Sequence, residues 1–401
     1  MKLTHMICAA SLVLVSFGVV RADESSFRGL AGGNRAFAVA LHKRLVAGDT
    51  GNLFYSPYSI STALGMTYAG ARGDTESQMA TALHFPASAE AIAPLFGALQ
   101  RDIASAQNEG VEMLVANSLW PAQQYSFRDD YLTLIEQEFA SAIYPVDYNM
   151  AAEVTERIND WVELQTRDKI QNLIPGGALN ALTRMVLVNA VYFNGKWDRP
   201  FSPEATLEQP FFVTESETKP VPMMYQELRA GYLETAEAQV LELPYKNYTM
   251  GMTVVLPSRG SSLAALENAL TPEQLVDWLT LPRREVKVYL PKFTMTSQFN
   301  LARVMKALGM LDAFDGGKAD FSGMTEAIQD LFISEIIHKA FVDVSEEGTE
   351  AAAATAVMMR TTSIRLDPVP VFRADRPFLF FITEKSTGSI LFAGRFIEPQ
   401  S

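Results

Sequence analysis

Few side chains in this sequence are of the types that carry out catalysis or bind metals. Its one cysteine is Cys8, and only three histidines occur beyond residue 22: His42, His84 and His338. The motifs GxSxG, HExxH, GxGxxG and the P-loop do not occur, so the usual sequence signs of an enzyme are missing. An SxxK match at Ser216–Lys219 lacks an accompanying SDN or KTG, and we interpret it as a solvated loop. The sequence therefore predicts a protein that is not an enzyme and uses no metal or other cofactor.

Composition and charge exclude several kinds of partner. The chain has 401 residues, of which 48% are hydrophobic, so it has ample apolar material for a folded core. Asp and Glu number 46 against 33 Lys and Arg, which gives a formal net charge of −13. Such a charge repels phosphate backbones and anionic lipid surfaces. We therefore expect neither nucleic acid nor a membrane as a partner.

Residues 1–22 have the features of a secretory signal peptide. Lys2 precedes an apolar stretch from Met6 to Val20, and the small residue Ala22 precedes an acidic pair. A membrane anchor is the alternative, but about fifteen apolar residues fall short of the ~20 that span a bilayer. We predict cleavage after Ala22 and a secreted, extracellular protein, or a periplasmic one if the source is bacterial. Cys8 would be removed with the signal, so the mature chain would hold no disulfide.

Residues 23–401 show no internal repeat, proline-rich linker or charge block that would divide them into domains. Helical periodicity dominates the first part, at Asn34–Leu45, Ser59–Leu83, Ser88–Ala106, Asp129–Phe139 and Ala151–Thr166. Strand patterns follow at Met185–Phe193, Gln239–Leu243, Met250–Leu256, Glu285–Leu290, Phe378–Thr383 and Ser389–Phe396. Two further helices lie among these strands, at Pro272–Leu279 and Asn300–Leu308. This mixture predicts a single α+β domain.

One segment near the C-terminus has a composition that fits three different structures. It begins with Glu346, Glu347, Gly348, Thr349 and Glu350 and continues with four alanines, Ala351, Ala352, Ala353 and Ala354. Alanine favours a helix. Every second residue from Thr349 to Met359 is uncharged, however, which suits a strand with one buried face. Because an exposed loop, a surface helix and a buried strand all fit, the segment is a candidate conformational switch.

Five stretches of the chain together carry a family pattern. They are NLFYSPYSISTALGMTYAGARGDTESQM (52–79), LVNAVYFNGKW (187–197), LPKF (290–293), HKAFVDVSEEGTEAAAATAV (338–357) and RPFLFFITEKSTGSILFAGRF (376–396). In this order they resemble the serpins, a family of serine-protease inhibitors, over nearly the whole chain after residue 22. The resemblance implies one α+β domain at 23–401 with three β-sheets and eight or nine helices. It also implies an exposed reactive-centre loop at about 346–370.

The resemblance further implies suicide inhibition. A target protease attacks the loop and forms its acyl-enzyme; the cut loop then inserts into the main sheet and carries the protease with it. The inward positions from Thr349 to Met359 suit insertion, because none is charged, bulky or proline, and Gly348 supplies backbone freedom. The alternative is a non-inhibitory serpin-like carrier, storage protein or chaperone. Such members often carry charged, bulky or proline residues at these positions.

Two groups of residues match functional regions of the family. The first resembles the shutter, a buried polar cluster beneath the strands that must part, and consists of Ser56, Ser59, Asn189 and His338. The second resembles the breach, where insertion begins, and consists of Trp197, Lys292 and Glu346. The resemblance implies an ion pair between Lys292 and Glu346.

The family pattern also indicates the reactive bond. The cleaved residue follows Glu346 by about sixteen positions, which gives Thr362, with Ser363 after it. A small residue at this position suits an elastase-like or subtilisin-like serine protease. Three alternatives stay open. Arg360 and Arg365 would suit trypsin-like enzymes, and Met359 would suit an elastase-like or chymotrypsin-like one.

Other partners are expected to be few. A glycosaminoglycan would need a basic stripe on the predicted helix Ser88–Ala106, where Arg101 is the only cation, so we expect no such activator. We expect a monomer. Asn247-Tyr248-Thr249 is a glycosylation sequon, which matters only if the chain passes through an endoplasmic reticulum.

Overall fold

The computed structural model describes residues 24–326, 331–349 and 368–399. Several sequence predictions lie outside these described residues. They concern the signal peptide at 1–22, the hinge residues Glu350 and Ala351–Ala354, and the reactive-bond candidates Met359, Arg360, Thr362, Ser363 and Arg365.

Nine α-helices lie in the described part of the chain. They are α1 (Glu24–Val46), α2 (Pro57–Ala69), α3 (Gly73–Leu83), α4 (Ala89–Ser105), α5 (Asp129–Phe139), α6 (Ala151–Gln165), α7 (Leu263–Ala269), α8 (Pro272–Asp277) and α9 (Ala302–Ala307). The single helix predicted at 59–83 is two helices, because the chain turns at Gly70, whose N–H bonds back to Thr67. A side chain at Gly70 would lie 2.1 Å from Cγ of Met324, so only glycine fits this turn.

The same residues contain fifteen β-strands. They are β1 (Leu53–Tyr55), β2 (Val111–Pro121), β3 (Ala142–Ile143), β4 (Met185–Lys196), β5 (Leu207–Phe212), β6 (Thr218–Glu234), β7 (Ala238–Pro244), β8 (Met250–Pro257), β9 (Arg283–Pro291), β10 (Phe293–Asn300), β11 (Glu335–Val344), β12 (Gly348–Thr349), β13 (Val371–Arg373), β14 (Phe378–Glu384) and β15 (Ser389–Phe396).

Hydrogen bonding joins these strands into two sheets. The six-stranded sheet has the order β10-β11-β12-β4-β2-β3, with β11 also paired directly to β4. The nine-stranded sheet has the order β1-β15-β14-β8-β7-β6-β9-β13, with β5 on β6. The long strand β6 leaves β9 and joins β7 near Gly231, so it divides this sheet into two groups of strands. The six-stranded sheet and these two groups agree with the three-sheet α+β domain predicted from the sequence.

Helix α2 lies in the interior and positions part of the candidate site. Every residue from Pro57 to Ala69 is buried, because the helix packs against β2, β4 and β15 and against helices α1 and α4. It is apolar around most of its circumference, as a helix surrounded by protein must be. Its first turn is capped by Ser56, whose Oγ accepts from the backbone N–H of Ser59 at 3.0 Å.

No helix among the described residues combines the length and the apolar character needed to cross a membrane.

Candidate functional site

The predicted hinge begins inside the six-stranded sheet. Strands β4 and β11 run parallel and pair directly as far as Tyr192 and Phe341. Beyond this level they part, and Thr349 of β12 lies between them, antiparallel to both, opposite Gly195 and Val344. The two-residue strand β12 therefore occupies the gap where β4 and β11 separate.

A tight turn brings the chain back from β11 into this gap. The N–H of Ser345 donates to the carbonyl of Gly348 at 2.7 Å, and the N–H of Gly348 donates to the carbonyl of Ser345 at 3.3 Å. A Cβ atom on Gly348 would lie 2.1 Å from the carbonyl oxygen of Gly195. Only glycine allows the two backbones to approach this closely.

The side chain of Thr349 points inward and has no exposed surface. Its Oγ1 lies 2.8 Å from the hydroxyl oxygen of Tyr245, and the two share a hydrogen bond. Tyr245 stacks on Trp197, with ring centroids 4.7 Å apart and planes 5° apart. Burial raises the pKa of the Tyr245 hydroxyl far above its ordinary value, so the group stays neutral. An aromatic pair thus holds the first inward residue of the hinge.

The backbone of the turn is fixed by three donors. The indole Nε1 of Trp197 donates to the carbonyl of Ser345 at 3.0 Å. The backbone N–H of Trp197 donates to Glu347 at 2.9 Å, and that of Phe201 donates to Glu346 at 2.7 Å. These bonds satisfy three successive carbonyls of a segment without a strand partner, which holds it in one conformation.

The structure brings together Lys292 and Glu346. The ammonium Nζ lies 2.9 Å from Oε2 of Glu346, and the hydroxyl of Thr206 donates to Oε1 at 2.9 Å. Burial alone would raise the pKa of Glu346, but the hydrogen bonds from Lys292 and Thr206 and the charge of Lys292 lower it below its ordinary value. Glu346 is therefore an anion with two partners, near Trp197 as the family pattern implies.

The four predicted shutter residues also lie together: Asn189 and His338 are on the paired part of β4 and β11, and Ser56 and Ser59 are at the start of α2. The backbone N–H of Ser56 donates to Nε2 of His338 at 3.1 Å. Since a backbone N–H can only donate, Nε2 is the unprotonated nitrogen, and Nδ1–H donates to Oδ1 of Asn189. The hydroxyl of Ser56 donates to the carbonyl of Leu391 at 2.6 Å, which ties the group to β15.

A fifth member of this group, Asn117, was not predicted from the sequence. The amide nitrogen of Asn189 donates to Oγ of Ser59 at 2.5 Å and to Oδ1 of Asn117. The residues Asn117, Asn189 and His338 stand directly opposite one another on β2, β4 and β11. An asparagine within the otherwise largely apolar run of β2 was the signal that could have indicated it. We call these five residues the polar cluster: Ser56, Ser59, Asn117, Asn189 and His338.

The polar cluster is neutral. Burial lowers the pKa of His338 to about 3, although the hydrogen bond to Asn189 opposes this shift. The ring of His338 also stacks on Phe299, with centroids 6.3 Å apart. The cluster therefore joins three strands by directional hydrogen bonds between uncharged groups, which can be broken and remade without moving a charge.

Among the described residues, no group of three or more His, Cys, Asp or Glu side chains is placed to hold a metal ion.

Comparison with known proteins identifies the family. The sequence model of the family described as serpin (serine protease inhibitor) matches residues 32–399, so the chain belongs to the serpins. It is 41% identical over 382 residues to the leukocyte elastase inhibitor of the horse, Equus caballus, covering 92% of this chain and 99% of that one. The family and fold predicted from the sequence are confirmed, and the family is described as one of inhibitors rather than enzymes.

Solved structures agree with this assignment. The fold matches that of Serpin48 from the insect Tenebrio molitor with a TM-score of 0.83 and 34% identity, covering 95% of this chain and all of that one. It also matches human thyroxine-binding globulin in complex with thyroxine, with a TM-score of 0.83 and 29% identity, covering 94% and 100% of the two chains. The fold is thus similar to that of a serpin described as highly specific and to that of a thyroxine-binding globulin.

Proposed function

We propose that this chain is a secreted suicide inhibitor of serine proteases that traps the acyl-enzyme by inserting its cleaved reactive loop into the six-stranded sheet. The observation that carries this proposal is the position of β12. Gly348 and Thr349 already lie antiparallel between the parallel strands β4 and β11. A chain continuing from Thr349 in the same direction would separate β4 from β11 and form a central antiparallel strand.

The register supports this continuation. Thr349 stands opposite Gly195 and Val344. Six residues further along the loop is Thr355, and six residues back along each neighbour are Asn189 and His338. Since six is an even number, Thr355 would face inward like Thr349. Insertion must break the hydrogen bond between Asn189 and His338. The hydroxyl of Thr355 would then be a new hydrogen-bond partner at this point, so the sequence supplies a polar group where one is required.

The proposed chemistry is that of an interrupted substrate. The protease's serine attacks the carbonyl of Thr362, forms an ester and releases the amino group of Ser363. Insertion of the freed segment then moves the attached protease away before water can hydrolyse the ester. Pairing with both β4 and β11 supplies the driving force, because the intact loop lacks the hydrogen bonds and burial of a central strand.

Thr362 and the name of the horse relative both favour an elastase-like target. A non-inhibitory carrier is the second candidate, since thyroxine-binding globulin shares the fold. The uncharged inward positions from Thr349 to Met359 favour inhibition, because a carrier does not need a segment able to enter a sheet.

The test is incubation of the mature chain with elastase, subtilisin, trypsin and chymotrypsin, followed by a denaturing gel and mass analysis of the released C-terminal peptide. We expect a covalent adduct with at least one enzyme and a peptide that begins at Ser363. Cleavage by all four enzymes without an adduct would favour the carrier. Expression in a secreting host, with N-terminal sequencing of protein from the medium, tests secretion separately; we expect Asp23 as the first residue.

A further inference from the structure

A cavity of about 560 Å³ lies where three connecting segments of the nine-stranded sheet meet. Its walls come from the turn between β5 and β6, from the segment between β8 and α7, and from the residues just before β14. The volume falls within the ~300–1,000 Å³ of small-molecule sites. None of the lining residues belongs to the hinge turn or to the polar cluster, so the mechanism proposed above does not use this cavity.

Much of the lining is apolar. Phe212 is 40% exposed although its ring is large and apolar. Covering such a surface with an apolar ligand removes it from water and is favourable. The walls therefore favour a ligand with a hydrocarbon body. The apolar lining residues are Phe212, Val213, Pro257, Leu263, Pro377 and Ile397.

Two guanidinium groups line the same cavity, those of Arg259 and Arg376. Both are paired to the carboxylate of Asp375, which is buried and is not part of the lining. Nη2 of Arg259 lies 3.3 Å from Oδ2 of Asp375, and Nη1 of Arg376 lies 2.9 Å from Oδ1. Two cations therefore share one anion at the wall of the cavity.

Only one of the two arginines has donors to spare. Nε and Nη2 of Arg376 both donate to the carbonyl of Pro257, in addition to the contact with Asp375. The side chain of Arg259 is 76% exposed, and Asp375 is its one hydrogen-bond partner among the described residues. A guanidinium has five N–H donors, so Arg259 can bind a second carboxylate while Asp375 holds it in place.

One acidic residue also lines the cavity, Glu215 on the turn between β5 and β6. It forms no ion pair with Arg259 or Arg376 in the part of the chain that the structure describes. Glu215 is exposed, so water and salt weaken its repulsion of a bound anion. The charges of the lining therefore still favour an anion beside Arg259.

We propose that this cavity binds an aliphatic carboxylate, whose carboxylate group bonds to the guanidinium of Arg259 and whose hydrocarbon chain covers the apolar walls. The two parts of the ligand match the two parts of the lining. Binding does not rest on the proposed function, because neither the reactive loop nor the six-stranded sheet contributes to the site.

The probe is octanoate, titrated calorimetrically into the full chain, with octanamide as the uncharged control of equal length. We expect octanoate to bind one site, and octanamide to bind at least about threefold more weakly, because an exposed ion pair contributes modestly. Butanoate should bind at least about tenfold more weakly than octanoate, since its shorter chain covers less of the apolar walls.

Two substitutions locate the site. Arg259→Gln removes the charge, so it should bind octanoate no more tightly than octanamide, with octanamide binding unchanged. Arg303→Gln is the control for net charge, because Arg303 is exposed on α9 and lies outside the lining. Ser261→Trp fills the cavity from an exposed position and should lose octanoate binding. Ala265→Trp, exposed on α7 but outside the lining, is the control for the added ring.

Absence of octanoate binding to the unaltered chain, equal binding of octanoate and octanamide, or binding kept in both Arg259→Gln and Ser261→Trp would overturn the site. An equal loss in Arg303→Gln would assign the effect to net charge and overturn the role of Arg259. If Ser261→Trp does not fold, the chain-length series and Arg259→Gln decide. No protease is present in these titrations, so failure of the proposed function would leave their outcome unchanged.

Discussion

The hydroxyl oxygens of Tyr245 and Thr349 lie 2.8 Å apart at a position with no access to solvent. This contact joins the nine-stranded sheet's strand β7, which ends one residue before Tyr245, to the first inward residue of the hinge. Strand β12 is thus held in the six-stranded sheet by a side-chain hydrogen bond as well as by strand pairing.

This contact should be measurable as a coupling energy. Tyr245→Phe leaves the buried hydroxyl of Thr349 without a partner, which we expect to destabilise the intact protein by about 1–3 kcal/mol. Thr349→Val removes the other partner. In the double variant no hydroxyl is left unsatisfied, so the combined loss should be smaller than the sum of the single losses by about 1 kcal/mol. Denaturant unfolding of the four proteins gives this value, and strict additivity would show that the two groups do not interact.

A charge at the same position should abolish trapping without abolishing recognition. Thr349→Arg places a cation where the native side chain is fully buried between β4 and β11, so keeping the segment within the sheet would cost several kcal/mol. We expect the variant to be cleaved as a substrate, with little covalent adduct on a denaturing gel. Glu350→Arg is the control, since its parity places it on the opposite face of the inserted strand. Equal trapping by Thr349→Arg and the unaltered chain would contradict the inward assignment of Thr349.

Acid should weaken the polar cluster through His338. Burial lowers the folded-state pKa of this residue to about 3, whereas an unfolded chain has a histidine pKa of about 6.5. Below about pH 6.5 the unfolded state therefore binds a proton that the folded state does not, so stability is lost as the pH falls toward 3. The slope from this one residue approaches about 1.4 kcal/mol per pH unit.

The measurement is the denaturant midpoint between pH 7 and pH 5 for the unaltered chain and for His338→Gln. We expect the variant to be less stable at pH 7 but to lose less stability on acidification. His84→Gln is the control, because desolvation lowers the pKa of His84 as well but that side chain is exposed and lies outside the polar cluster. An identical pH slope in His338→Gln and the unaltered chain would show that His338 is not the group that titrates.

Sequence patterns located those elements whose own residues dictate their structure. The predicted helix Asp129–Phe139 and the strand Ser389–Phe396 match α5 and β15 residue for residue, because the helix has one apolar face at helical spacing and the strand is buried along its whole length. β6 was not predicted, because its residues pair with β5, β9 and β7 in turn and no single face is buried throughout. Periodicity reveals an element only when one of its faces is buried along the whole length, so it cannot reveal a strand that pairs with different neighbours in turn.

The candidate site was predicted to the extent that the family pattern names its residues. Only the resemblance grouped these residues. Lys292 is far in sequence from Glu346, and within the polar cluster Asn189 and His338 are far from Ser56 and Ser59. Tyr245 and Asn117 lie outside that pattern. Their contacts arise from register, since Asn117 stands opposite Asn189 and β12 stands opposite Gly195. Register between distant strands is a property of the folded chain, which composition and spacing do not contain.

In the proposed mechanism the intact chain lacks strand pairing that its own loop can supply, and a comparison of thermal stability shows whether the loop supplies it. The intact protein and a sample cut once between Val357 and Arg365 are melted at a single scan rate, because unfolding of such a chain can be irreversible. We expect the cut sample to melt higher, by on the order of tens of degrees, since each kcal/mol shifts the midpoint by roughly 2 °C or more. A cut sample that melts at or below the intact one would show that the loop does not insert, and the proposed mechanism would fail with it.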